Sequence, residues 1–238
     1  MTQNIFFAQN IINDNILLVH DEYHHCKNVM RYGIGSTVMV TDGNGNVYEG
    51  NIAKYDKNQA IINISLHKYI SSPDKYTLHI AIAPTKNADR IEYFVEKAVE
   101  IGLHKLTFIM TERTERKAVN MDRIHKIAVA AMKQSQKYYL PQIHQPVDYK
   151  TFIQSENTSL KCIAYIENDV GQVPISKYFG NGNNNYNILI GPEGDFSPEE
   201  ITLAKKYEYI PVSLGTSRLR TDTAGIYVAA CARSMLVV

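Results

Sequence analysis

The sequence predicts an α/β protein in two parts: a small all-β unit over residues 1–70, then a larger α/β unit over residues 74–238 on a mostly parallel sheet. Three observations carry that expectation. Before residue 70 the apolar residues fall in short alternating runs separated by turn residues, the pattern of a small barrel or meander. After residue 74 strand-like runs alternate with helical runs, which implies a parallel sheet covered on both faces. Between the two, Ser71-Ser72-Pro73-Asp74 interrupts both patterns.

Taken in order, Ile16–Val19 is an apolar run, and Asp21–Arg31 reads as a short helix ended by Gly33 and Gly35. Thr37–Thr41 alternates into the turn Asp42-Gly43-Asn44-Gly45, and Val47–Tyr55 and Ala60–His67 are strands joined through Asp56-Lys57-Asn58. In the second part Leu78–Ala83 is a strand. Asp89–Gly102 is an amphipathic helix with Ile91, Phe94, Val95, Ala98 and Val99 on one stripe and Gly102 as its stop. Leu106–Met110 is a strand, Asn120–Lys137 a long helix, and Lys161–Ile166 and Tyr186–Ile190 are strands. Ser197–Tyr207 is a helix, Ile210–Leu214 the last strand, and Thr221–Val238 the closing helix. Gly180–Asn185 is a polar loop.

A chain of 238 residues is long enough to bury a substantial core. Its net charge of +1 announces no polyanionic partner, so any nucleic-acid surface must be local. Cys26, Cys162 and Cys231 lie too far apart for metal-ligand spacing, and are expected to be reduced, mostly buried thiols. No metal is expected. Met1–Asn10 has neither the basic nor the apolar region of a signal peptide, and no apolar run is long enough to span a membrane. The expectation is a cytoplasmic chain with no membrane partner.

Ligand sites in open α/β sheets lie beyond the carboxyl ends of the strands. Two such ends stand out. Ile188-Leu189-Ile190 runs into Gly191-Pro192-Glu193-Gly194-Asp195-Phe196. A helix then starts with Ser197 as N-cap, Pro198 in its first turn and Glu200 closing a capping box. The alternative is an ordinary β–α turn with a good cap. The second end is Val212-Ser213-Leu214-Gly215-Thr216-Ser217-Arg218-Leu219-Arg220, followed by a helix start with Thr221 or Thr223 as N-cap. Its arginines suit an anion. The alternative is a surface turn in which they pair with Asp222 and Glu199. The functional reading is preferred because both loops are expected to end adjacent buried strands. No Gly-x-Gly-x-x-Gly follows an early strand, and there is no Walker motif or nucleophile elbow.

These loops, Leu189-Ile190-Gly191-Pro192-Glu193-Gly194 and Leu214-Gly215 followed by Leu219-Arg220-Thr221-Asp222-Thr223-Ala224, resemble the two signature loops of the ribosomal RNA small subunit methyltransferase E family of the SPOUT superfamily. Glu96–Gly102, Thr111-Glu112-Arg113, Gln134-Ser135, His24-His25 and Val29-Met30-Arg31 resemble further elements of that family, so the likeness covers nearly the whole chain. It implies a PUA-like β-barrel RNA-binding domain ahead of a SPOUT-type α/β domain with a C-terminal trefoil knot. It also implies a homodimer that takes S-adenosyl-L-methionine as methyl donor and methylates N3 of one uridine in 16S rRNA, in the small ribosomal subunit. The chain departs from the family pattern at Asp195, where a second Gly is common, and at Asp222, where Glu is common. Ser217 and Lys137 stand where the family often has Arg.

The resemblance implies donor binding by Leu189, Gly191, Pro192, Gly194, Leu214, Gly215, Leu219 and Thr221, largely through backbone groups. Arg220 is the candidate cation for the charge that develops on the uracil carbonyls. Glu193 is a candidate base, or orients Arg220, or only complements the helix dipole. Candidate RNA contacts are Arg113, Arg116, Lys117 and Lys137 in the densest basic stretch, with Lys27 and Arg31 from the N-terminal helix. His24 and His25 are expected to pack and hydrogen-bond rather than to catalyse, and Tyr138 and Tyr139 to pack in the core or an interface rather than to stack on a base. The rival readings are a SPOUT enzyme acting on another RNA or base, and a non-catalytic RNA-binding protein.

Overall fold

The computed structural model describes residues 4–12, 14–72, 74–155, 160–165 and 172–237. Pro73 in the expected break, Ile166 and Val238 at expected element ends, and Met1–Gln3 lie outside the described residues. The chain divides into two units, one of Met1–Pro73 with Met132–Leu140, the other of Asp74–Ala131 with Pro141–Val238.

In the first unit the strands are β1 (Ile5–Phe7), β2 (Ile11–Ile12), β3 (Asn15–Val19), β4 (Thr37–Thr41), β5 (Asn46–Asp56) and β6 (Gln59–Tyr69). They form one sheet in the order β1-β4-β5-β6-β3-β2. Alternation puts Ile16, Leu18, Val38, Val40, Ile52, Ala60 and Ile62 into one core with Phe6 and Cys26. The helix α1 (His20–His24) widens into a π-turn over His25–Val29. Gly33 and Gly35 do not end it. The chain reverses earlier, at Arg31, whose φ of 55° is left-handed. Residues 138–140 belong here because they run along the Asp42–Gly45 turn: Leu140 N–H donates to Gly43 O at 2.8 Å and Gly45 N–H to Tyr138 O at 2.9 Å. Tyr139 donates its hydroxyl to Ile70 O at 2.8 Å, and Lys133 forms an ion pair with Glu22.

The second unit contains β7 (Thr77–Ile82), α2 (Ala88–Ile101), β8 (Lys105–Met110), α3 (Met121–Gln134, its last turn counted with the first unit), β9 (Gln142–Asp148) and α4 (Tyr149–Ser155). It continues with β10 (Leu160–Ala164), β11 (Val173–Pro174), β12 (Asn185–Ile190), α5 (Pro198–Lys206), β13 (Ile210–Ser213) and α6 (Thr221–Leu236). The sheet order is β11-β13-β10-β12-β7-β8-β9, and each neighbouring pair is parallel. Parallel strands buried on both faces need near-continuous apolar runs, and Leu78, Ile80, Ala81, Ile82, Ile188, Leu189 and Ile190 supply them. The α2 stripe of Ile91, Phe94, Val95, Ala98 and Val99 is buried, Asn87 caps the start and Gly102 (φ 131°) the end. Helix α6 crosses α2 at Gly225, where an added Cβ would lie 2.5 Å from the Phe94 ring. A buried polar chain, Tyr209 to Asn187 (3.2 Å), Asn187 to His79 (3.1 Å) and His79 to Thr107 (2.8 Å), links β12, β7 and β8 through the core.

Candidate active site

The strand ends lie level. Ile190 pairs with Ile82 on one side and Ala164 on the other, Ala164 also pairs with Val212, and Ile82 pairs with Phe108. All five strands are parallel, so the loops after β7, β8, β12 and β13 leave from the same edge. The expected adjacency of the two signature strands does not hold, because β10 lies between β12 and β13. Chain order gave no hint of this insertion. The two loops nevertheless meet. The buried Thr221 hydroxyl donates to Gly191 O at 3.0 Å, and Arg218 Nη2 reaches Glu193 O at 3.5 Å.

The 191–197 loop is a hub tied from three sides. From the loop after β7, Lys86 N–H donates to Glu193 Oε1 at 3.0 Å. Lys86 is itself held above the usual lysine range, first by its hydrogen bond to Glu115 and more weakly by Glu193. From the loop after β8, Arg113 Nη1 donates to Gly194 O at 2.8 Å and reaches Phe196 O at 3.5 Å. Glu200, buried on α5, returns the tie: Oε1 accepts from Glu112 N–H at 2.8 Å and Oε2 from Ser197 N–H at 2.9 Å. The capping box expected at Ser197 and Glu200 is therefore present and also fastens a neighbouring loop. From the α6 side come Thr221 and Arg218.

Local geometry explains the composition of the hub. Asp195 N–H closes a turn onto Pro192 O at 2.9 Å. Asp195 then takes a φ of 61°, and its carboxylate accepts from Phe196 N–H at 2.8 Å, which supports a left-handed non-glycine residue. Gly191 packs against Phe196, whose ring lies 3.1 Å from the place of a Cβ. Gly215 has a φ of 119° with open space where a side chain would sit.

Arg220 is exposed and occupies the N-cap of α6 without a side-chain cap bond. Thr221 is thus the first helical residue and neither it nor Thr223 is the cap, because the Thr221 hydroxyl is used on Gly191. Among the described residues the Arg220 side chain makes no hydrogen bond or ion pair, so it pairs with neither Glu199 nor Asp222, and Glu193 does not orient it; its carbonyl accepts from Ala224 N–H at 2.8 Å. One carboxylate oxygen of Asp222 is buried with no hydrogen-bond partner among the described residues. Pro192 is buried beside Gly191, while Leu214 and Leu219 are half-buried flanks of the second loop. Leu189 differs from these. It lies inside β12, its side chain in the core beside Phe196 and Tyr209.

Of the candidate RNA contacts, Lys27, Arg31 and Lys137 lie in the first unit and Arg113, Arg116 and Lys117 in the second. Lys27 donates to Tyr23 Oη at 3.0 Å and lies over the Tyr55 ring, and Arg31 is exposed. Arg116 Nε donates to Ala118 O at 3.1 Å, and Lys117 is exposed. Among the described residues no group of His, Cys, Asp and Glu is arranged to hold a metal ion, and no helix is long and apolar enough to cross a membrane. Sequence reasoning missed Lys86 and the tie between Glu112 and Glu200, although Glu112 stands in a stretch that resembles the family. Only Glu200 left a signal, the capping box.

The RNA methyltransferase domain family matches residues 72–233, and the RNA methyltransferase PUA domain family matches residues 20–65. A crystal structure described as a probable rRNA-methyltransferase from Porphyromonas gingivalis is 34% identical, covers 98% of each chain and superposes with a TM-score of 0.89. A ribosomal RNA small subunit methyltransferase E from Neisseria gonorrhoeae, solved bound to S-adenosyl methionine, shares the fold. Its TM-score is 0.84 at 20% identity, over 98% of this chain and 97% of that one. The ribosomal RNA small subunit methyltransferase E of Rickettsia conorii is 26% identical over 225 residues, 93% of this chain and 90% of its own length. A family match spanning residues 72–233 and a solved relative alike along nearly its whole length make this chain a member of the RNA methyltransferase family, in the branch of the ribosomal RNA small subunit methyltransferase E proteins, with a PUA domain ahead of the methyltransferase domain.

Proposed function

We propose that the chain transfers a methyl group from S-adenosyl-L-methionine to N3 of a specific uridine in 16S rRNA. On this reading residues 1–70 bind RNA and residues 74–238 carry the chemistry, with the loops at the carboxyl edge forming a trefoil knot. The protein works in the cytoplasm as a homodimer. Exposed Tyr227 and Met235 on α6 support a partner on that helix.

The donor fits the loops that meet at this edge. Gly191, Pro192, Gly194, Leu214, Gly215, Leu219 and Thr221 would hold it, and the open side of Gly215 leaves room for close backbone approach. When bound, the donor supplies a methyl group already activated on a sulfonium. The protein then has to align the acceptor and manage its proton. Uracil N3 must be unpaired to be reached, so the base enters single-stranded or flipped. As N3 loses its proton, negative charge spreads onto the flanking carbonyls, where the Arg220 guanidinium stabilises it. Glu193 takes the proton on the carboxylate oxygen that Lys86 leaves available. Lys27, Arg31, Arg116, Lys117 and Lys137 contribute phosphate contacts.

The observation that carries this reading is Arg220. It is an exposed cation with no partner among the described residues, one position before the threonine that ties the two loops together. Arg220→Ala should keep donor affinity within about threefold and lower turnover by roughly a hundredfold or more. Calorimetry with the donor and single-turnover methylation of small-subunit RNA separate the two effects. Nucleoside mass spectrometry of 16S rRNA from a deletion strain tests the target. Retained N3-methyluridine would refute it and leave another RNA or base.

A further inference from the structure

We infer that Arg113 is a positioning residue for the donor site: through its bonds to the Gly194 and Phe196 carbonyls it sets the conformation of the 191–197 loop. It acts on that loop rather than on an RNA phosphate. This rests on the reading of the loop as the donor site.

The geometry is specific. Arg113 stands on a tight turn between Thr111 and Thr114, both buried, whose hydroxyls lie 2.8 Å apart while Thr111 N–H donates to Thr114 Oγ1 at 3.0 Å. The base of the side chain is therefore fixed before the loop is met. Its stem lies against Gly194, with Cβ and Cδ 3.4 and 3.5 Å from where a Gly194 Cβ would be. Its Nη1 then donates to Gly194 O at 2.8 Å. A guanidinium is planar and rigid, so a carbonyl bonded to it is held in orientation as well as in place. The Gly194 peptide is the one that needs this. Gly194 has wide conformational freedom of its own, and the next residue, Asp195, is left-handed. The return tie, the buried Glu200 accepting from Glu112 N–H, holds the same two loops at the neighbouring residue. Glu200 fastens the loop stem and Arg113 orients its tip. A guanidinium committed to two backbone carbonyls is also poorly placed for a phosphate, unlike exposed Lys117 nearby.

The test is Arg113→Ala and Arg113→Lys in the full chain. Arg113 is exposed, so both variants are expected to fold. Donor affinity is measured by calorimetry without RNA. The alanine variant should bind the donor at least about tenfold more weakly, as loss of a charge-assisted bond implies. The lysine variant, which reaches one carbonyl without the planar fork, should recover part of that loss. In steady state the donor KM should rise while kcat at saturating donor and the RNA KM stay within about twofold. The salt dependence of RNA binding should keep its slope. Amide hydrogen exchange over residues 193–197 should quicken in the alanine variant even without donor.

Unchanged donor affinity in the alanine variant overturns the inference. So does an RNA affinity that falls with its salt slope shallower by about one, the mark of a lost phosphate contact. If the unmodified protein binds no donor at all, it is the proposed function that fails. Exchange at 193–197 then still decides whether Arg113 holds the loop.

Discussion

Thr221→Val is the sharpest probe of how the two loops are joined. Valine has nearly the shape of threonine, so the substitution removes the hydroxyl and little else. Thr221 is 5% exposed and its hydroxyl donates to Gly191 O at 3.0 Å. Gly191 is buried, and no other hydrogen bond to its carbonyl exists among the described residues. The substitution therefore strands a buried acceptor, which costs about 1–3 kcal/mol. For a chain of this length that lowers the melting temperature by roughly 2–12 °C. Donor affinity should fall as well, because the 191–197 loop loses its tie to α6. Thr221→Ser keeps the hydroxyl and should restore most of both losses. Thermal unfolding and calorimetric donor titration of the three proteins measure this directly. A valine variant that melts within about 1 °C of the parent and binds donor equally would show that the bond is not a tether. A serine variant as impaired as the valine one would move the cause to the methyl group.

Gly225→Ala should destabilise the protein by roughly 1–2 kcal/mol, because the new Cβ meets the fully buried Phe94 ring at 2.5 Å and the overpacking outweighs the gain in helix propensity. Denaturant unfolding checks it, and a variant more stable than the parent would contradict the packing. Burial pushes the Cys162 thiol up to about 12 from the ordinary 9.0, so at pH 8 the folded protein holds roughly a thousandfold less Cys162 thiolate than the unfolded chain. Labelling of Cys162 followed by mass spectrometry should therefore proceed only through unfolding. Because the folded-state value is the raised one, this contribution to stability is complete below pH 9 and declines as pH climbs from 9 towards 12. Rapid labelling of Cys162 in undenatured protein at pH 8 would refute the burial argument.

Much of the second unit was legible because its period is strong. The α2 stripe, the buried β7 and β12 runs and the α5 cap each follow from local spacing. The β9–α4 segment was not legible. β9 is an edge strand containing Pro146 and half-exposed along its length, so it shows neither alternation nor a continuous apolar run. The end of α1 was misread because glycine is the usual signal for a left-handed reversal, and here Arg31 makes it. At the site the motif resemblance singles out the 189–194 and 214–224 loops, and Lys161–Ile166 reads as a strand, yet the place of that strand between the two signature strands was not legible. Sheet order depends on which strands pair, and apolar runs as similar as Leu160–Ala164 and Asn185–Ile190 carry no label for that.

The ties around the hub share one property that explains why sequence could not show them. Lys86 and Glu193 are 107 residues apart, Glu112 and Glu200 are 88, and Arg113 and Gly194 are 81. Single polar contacts, two of them exposed and the third only part-buried, contribute too little to close loops of such length by themselves. The sheet must close them first. β12 inserts between β10 and β7, and only then do the loops after β7, β8 and β12 lie side by side at one edge. The Tyr209–Asn187–His79–Thr107 chain beneath that edge makes the insertion specific, since a strand slipped by one residue would leave buried donors and acceptors unmatched. Orientation of the 191–197 loop is thus a consequence of strand order held in the core. The surface ties select one loop conformation on a frame that already exists, so removing a single tie should loosen the loop without undoing the fold.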